Sequence, residues 1–127
     1  MTAPTADAFD RWYADMARAP ARDMRRILAP GGRVAVTCWE ALERDDPRAL
    51  ARLRTVDLAG DLAAAGFADI VVRERPGWLA RETAMWEEAA ALDPGTDPVL
   101  RAFHEEGLRM LERRGVYRRV LAVATAP

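Results

Sequence analysis

The sequence predicts an α/β domain of about three strands and roughly four to six helices. Three observations predict it. Apolar residues recur at helical spacing in several stretches, as in Leu100, Phe103, Gly107, Met110 and Leu111. Three short runs rich in apolar and β-branched residues, Arg33–Trp39, Ile70–Arg75 and Val116–Thr125, read as strands. Glycine or proline stands at the border of each run, as in Ala29-Pro30-Gly31-Gly32 and Pro76-Gly77. A length of 127 residues, with no internal repeat or linker, fits one domain over residues 1–127.

The elements follow in order. Ala6 to Ala17 is expected to be a helix, with Phe9, Trp12, Tyr13 and Met16 forming an aromatic stripe. Pro20 interrupts the pattern, and Ala21 to Leu28 resumes it with Met24, Ile27 and Leu28 on one face. The run Arg33-Val34-Ala35-Val36-Thr37-Cys38-Trp39 is nearly all apolar, which suits a strand covered on both faces. Glu40 to Asp46 reads as a polar loop, and Asp46-Pro47 opens a short helix containing Leu50 and Leu53. A further helix is expected from about Val56 to Ala65, with Gly66 at its left-handed cap. Ile70 to Arg75 is the second strand, and Ala80 to Leu92 a helix with Met85, Trp86, Ala89 and Leu92 inward. Asp97-Pro98 supplies an N-cap and first-turn proline for Val99 to Arg114. The final strand carries Val120-Leu121-Ala122-Val123-Ala124, apolar on both faces, which suggests a central place in the sheet.

Composition removes several chemistries. The chain contains no Lys, Ser, Asn or Gln, and all 19 basic residues are Arg, a bias towards GC-rich codons that points to a high-GC bacterial genome. Without Ser there is no Ser–His–Asp triad, and without Lys no Schiff base. A single cysteine, Cys38, excludes an intrachain disulfide, and a single histidine, His104, excludes a His-rich metal site. A net charge of −1 argues against a nucleic-acid binder. The first residues lack a basic segment followed by an apolar core, and no apolar run approaches the ~20 residues of a membrane span, so a cytoplasmic protein is expected.

Few residues stand out as candidates for chemistry. Trp39 and Glu40 lie at the carboxyl end of the first strand, where ligands gather in open α/β sheets. Trp12 and Tyr13 could close over the same region. As a functional residue His104 would be a general base; the plainer reading is a half-buried helix residue. Cys38 reads as a small buried hydrophobe. The pairs Arg25-Arg26, Arg113-Arg114 and Arg118-Arg119 read as solvated ion pairs, and Asp45-Asp46 lacks a convergent third metal ligand.

Met24-Arg25-Arg26-Ile27-Leu28-Ala29-Pro30-Gly31-Gly32-Arg33-Val34-Ala35-Val36-Thr37-Cys38-Trp39 resembles the late helix, Pro-Gly-Gly turn and fifth strand of class I S-adenosylmethionine-dependent methyltransferases. Leu62 to Val72, with its Ala65-Gly66-Phe67 cap, resembles the next helix and the sixth strand. Arg118 to Ala124 resembles the seventh. Ala8-Phe9-Asp10-Arg11-Trp12-Tyr13-Ala14-Asp15-Met16-Ala17 is similar to the opening helix of actinobacterial-type members. The resemblance implies a partial Rossmann-like methyltransferase fold whose last strand is antiparallel and central. Residues 1–19 would be the N-terminal helix and residues 20–127 the C-terminal half of that fold.

The family's cofactor loop, an acidic residue followed by Gly-x-Gly-x-Gly, has no counterpart, since the sequence holds no Gly-x-Gly. The resemblance therefore implies an internally truncated methyltransferase-like protein without its own cofactor site. It would be a remnant or an accessory subunit, and any enzymatic activity would be methyl transfer. No cofactor is expected for the isolated chain, and S-adenosylmethionine only where a partner completes the pocket. An alternative reading is a cofactor-independent small-molecule-binding or cyclase-type protein of specialised metabolism, with Trp12, Tyr13, Trp39 and Glu40 lining its substrate site. With the family's fourth strand missing, the edge at residues 33–39 would lie open, so a homodimer or hetero-complex through that edge is expected, with neither nucleic acid nor membrane as partner.

Overall fold

A computed structural model describes residues 18–127. The expected helix over Ala6–Ala17, with Trp12 and Tyr13, lies outside the described residues.

The described chain begins in helix α1 (Arg18–Ile27), which leads through a turn to strand β1 (Arg33–Ala41). Gly31 takes φ +83° in that turn, a value that favours glycine. A 3-10 turn at Ala51–Leu53 precedes helix α2 (Leu58–Ala64) and strand β2 (Ala68–Glu74). Helices α3 (Pro76–Ala91) and α4 (Pro98–Glu112) form a hairpin, and strand β3 (Tyr117–Thr125) ends the fold.

The sheet order is β1-β3-β2, with β3 antiparallel to both neighbours. The last strand is therefore central, as its apolar run suggested. The β1–β3 ladder runs from Arg33 opposite Thr125 to Ala41 opposite Tyr117.

Side chains alternate across the sheet. On one face Val34, Val36, Cys38, Ile70, Val72, Val120, Ala122 and Ala124 pack against Ala21, Met24 and Leu28 of α1 and Leu58 and Leu62 of α2. Leu62 is 1% exposed, and burying it contributes about 2–3 kcal/mol. The other face is covered only at one end, where α3 and α4 lie over Trp39 and Tyr117. Beyond that end, Ala35, Thr37 and Val71 are exposed among the described residues. The expectation of a first strand covered on both faces is thus corrected. The hairpin meets the sheet at the Trp39 and Tyr117 end, and its two helices otherwise pack on each other.

Several boundaries also move. β1 continues through Glu40 and Ala41, expected to be loop, because these residues pair with Arg118 and Tyr117. The stretch after Asp46 forms only a 3-10 turn, although Asp46 does accept the Arg48 backbone N–H at 2.9 Å. Hydrogen bonds from the Arg48 side chain hold the Asp46 carboxyl below its ordinary range. α2 starts at Leu58 because Asp57 caps it, accepting the Gly60 N–H at 3.2 Å. Pro76 opens α3 instead of merely ending β2, taking the first-turn position where its missing N–H costs nothing. Asp97 caps α4 as expected, accepting from Val99 and Leu100.

The inward faces change too. Ile27 is 71% exposed, since Ala21, Met24 and Leu28 form the buried stripe of α1 and leave it to one side. Met85, Leu100 and Phe103 are each exposed by 40% or a little more. They lie on the hairpin, whose two helices pack chiefly on each other. Gly107 and Ala89 mark where α3 and α4 cross most closely.

Candidate functional site

The carboxyl end of β1 brings chemistry-bearing residues together on both faces of the sheet. Trp39 and Glu40 are consecutive in an extended strand, so their side chains point to opposite faces. The sequence placed them in one site with Trp12 and Tyr13, which lie outside the described residues.

On the hairpin side, the Trp39 indole N–H donates to Glu82 Oε2 at 2.6 Å. The Arg119 guanidinium sits 5.3 Å from the centre of the Trp39 ring, a cation–π distance. Its Nε lies 3.4 Å from Glu82 Oε1, close enough for an ion pair but not aligned for a hydrogen bond. Tyr117 stands 6.4 Å from Trp39, and its hydroxyl accepts the Leu50 backbone N–H at 2.6 Å. The space between Trp39, Glu82, Trp86, Met110 and Tyr117 is about 70 Å³. That holds roughly two waters and falls well short of the ~300 Å³ of a small-molecule pocket. These side chains fasten the hairpin to the sheet.

On the α2 side, Glu40 is 3% exposed. Its Oε2 accepts the Leu58 backbone N–H at 2.9 Å, and Oε1 lies 3.4 Å from Arg118 Nη2. The carboxylate satisfies one of the free N–H groups at the start of α2. Beside it, an open groove of about 340 Å³ is bordered by Glu40, Asp57, Val72, Glu74 and Arg118. A second, of about 290 Å³, is bordered by Glu40, Arg44, Arg54 and Arg118. Mixed charges make these grooves suited to small polar groups. Among the described residues, no three His, Cys, Asp or Glu converge to hold a metal.

The remaining candidates are structural. His104 Nδ1 lies 3.1 Å from the Ala89 carbonyl and joins the two hairpin helices. Burial pushes the Cys38 thiol above its ordinary pKa, with Arg119 partly opposing. No helix among the described residues is long and apolar enough to cross a membrane.

Sequence reasoning missed Glu82 and Tyr117, and read Arg118 and Arg119 only as solvated ion pairs without naming their partners. Only the β1–β3 register sets Arg118 opposite Glu40 and Arg119 opposite Trp39, and only the hairpin's return brings in Glu82.

The resemblance raises the question of an S-adenosylmethionine site. Such a site needs glycine after a strand, where backbone must approach the ligand closely. The four glycines with positive φ stand elsewhere: Gly31, Gly66 and Gly115 precede strands, and Gly95 lies between α3 and α4. Of the acidic groups near the end of β1, Glu40 is engaged with Leu58, Asp57 with Gly60 and Asp61 with Arg18.

This three-stranded sheet and its helices form part of a methyltransferase-type α/β fold. The likeness is to solved structures of Haemonchus contortus phosphoethanolamine N-methyltransferase 2. The complex with S-adenosyl-L-methionine matches at a TM-score of 0.58 and 15% identity, over 93% of this chain and 30% of that one. The complex with phosphomonomethylethanolamine and S-adenosylhomocysteine matches at 0.54 and 17%, with the same coverage. The chain thus spans about a third of the length of those proteins. No protein-family profile matches it, and no curated protein resembles it.

Proposed function

We propose that this chain supplies the C-terminal half of a methyltransferase-type sheet and carries no S-adenosylmethionine site of its own. It is an internally truncated member of the actinobacterial type, serving as an accessory subunit or persisting as a remnant. Where methyl transfer occurs, a partner chain brings the cofactor pocket, and this chain contributes the polar end of β1. The observation that carries this reading is the placement of its positive-φ glycines before strands or between helices, and not after a strand. The opening motif Ala8–Ala17 supports the actinobacterial assignment.

Calorimetric titration with S-adenosylmethionine and S-adenosylhomocysteine tests it. The isolated chain is expected to bind neither more tightly than about 1 mM. A dissociation constant in the micromolar range would overturn the proposal. A second reading, a small-molecule-binding or cyclase-type protein, draws support from the open groove beside Glu40 and Arg118. Thermal stabilisation by a small polar ligand, abolished by Arg118→Ala, would favour it.

A further inference from the structure

The two outer edges of the sheet are built differently. The β2 edge is blunted. Its register shifts between Ala68 and Val71, Asp69 takes φ +52°, and Asp69, Arg73 and Glu74 charge it. Bulges and charges are how proteins protect a free edge from pairing. The β1 edge has neither device. Nine residues run in unbroken register against β3, with no proline, and between Arg33 and Glu40 none is charged. Glu40 is folded inward onto Leu58.

The hydrogen-bond phase of β1 can be read from its ends. Leu42 N–H donates to Val116 O, and Ala126 N–H donates to Gly32 O. Even-numbered residues therefore bond towards β3. Arg33, Ala35, Thr37, Trp39 and Ala41 turn their N–H and C=O groups outward. The Cys38 thiol lies 3.2 Å from the outward-turned Trp39 carbonyl.

We propose that β1 pairs antiparallel with β1 of a second copy of this chain, about a twofold axis through Thr37. That register uses all five outward residues. It sets Trp39 opposite Ala35 and Arg33 opposite Ala41, so each large or charged side chain meets a small neutral one. On the packed face Val36 meets Cys38. No like charges stand opposite one another, whereas parallel pairing would bring the two Arg33 side chains together. The result is a continuous six-stranded sheet that joins the open faces of both copies. The inference stands apart from the proposed function, because it concerns only the strand edge and not cofactor binding.

Sedimentation equilibrium across low to high micromolar concentration tests it, together with two variants. Thr37→Pro removes an outward N–H and leaves the β3 ladder intact, so it is expected to weaken the dimer at least tenfold with an unchanged circular dichroism spectrum. In a Cys38→Ala background, Thr37→Cys is expected to form an intermolecular disulfide. Opposed residues of this pair type lie about 5.5 Å apart at Cα, within the range a disulfide spans. A strictly monomeric wild type at high micromolar concentration would overturn the proposal. So would a dimer that neither cross-links through residue 37 nor responds to Thr37→Pro. An edge filled by another protein or by this chain's own residues 1–17 gives the monomer result.

Discussion

Gly107→Ala probes the closest approach in the fold, the crossing of α3 and α4. A Cβ at residue 107 would stand 2.9 Å from the Ala89 Cβ, 2.9 Å from the Trp86 carbonyl oxygen and 3.0 Å from the Ala90 nitrogen. Carbon atoms in good contact are about 3.5–4.0 Å apart, so the new methyl intrudes by roughly 0.6–1 Å. Two of the three obstacles are backbone, which no rotamer change can move. Overpacking of this kind costs about 1–3 kcal/mol. Alanine in a helix interior recovers about 0.5–1 kcal/mol over glycine. With two backbone obstacles the steric cost lies in the upper part of that range and wins, and the net loss is about 1–2.5 kcal/mol, a fall in Tm of roughly 4–12 °C for a domain of this size. Gly77→Ala is the control, since nothing lies within 4 Å of its built Cβ and it sits in the first turn of α3. It is expected to leave stability unchanged or raise it slightly. Both are read by thermal and urea unfolding. If Gly107→Ala is as stable as Gly77→Ala, the helices do not cross as tightly as described, and the reasoning fails.

Two further outcomes are expected. Glu40→Ala leaves the buried Leu58 N–H without an acceptor and should cost about 1–3 kcal/mol in urea unfolding, while Glu40→Gln keeps an acceptor oxygen and should recover most of it. Equal losses in the two variants would mean that the charge, and not the hydrogen bond, matters. For Cys38, the raised pKa keeps the thiol protonated in the folded state. Its contribution to stability is full below the pKa of the unfolded thiol and is lost as pH rises through the folded value. Iodoacetamide at pH 8 should therefore label the native protein far more slowly than the urea-unfolded chain; matching rates would contradict the burial.

The grooves beside Glu40 and the fastened cluster at Trp39 divide the work at one end of the sheet. Trp39, Glu82, Arg119 and Tyr117 leave space for little more than water and hold the hairpin in place. The polar side, where Glu40 meets Arg118, faces open grooves.

Local chemistry made much of the fold legible. Gly66 and Asp97 were readable as caps because their roles depend on φ or on a side chain two or three residues away. The apolarity of Val120–Ala124 marked the central strand, which hydrogen-bonds on both sides; its Val120, Ala122 and Ala124 are fully packed, while Leu121 and Val123 on the other face are half-buried. Absence of a Gly-x-Gly loop was a matter of reading residues. Other features needed the chain's return in three dimensions. Trp39 and Glu40 were read as one site, yet a strand's period of two sends them to opposite faces. The pairing of Glu40 with Arg118, 78 residues away, follows from strand register, which short-range pattern does not encode. Exposure of Ile27, Phe103 and Val71 likewise depends on what packs above them, and periodicity reports only which residues share a face. The amino-acid sequence by itself determined the order of elements, several of their caps and the absence of any Gly-x-Gly, because these are local. Tertiary structure alone decided which faces are covered and which charges meet, because those depend on residues far apart in the chain.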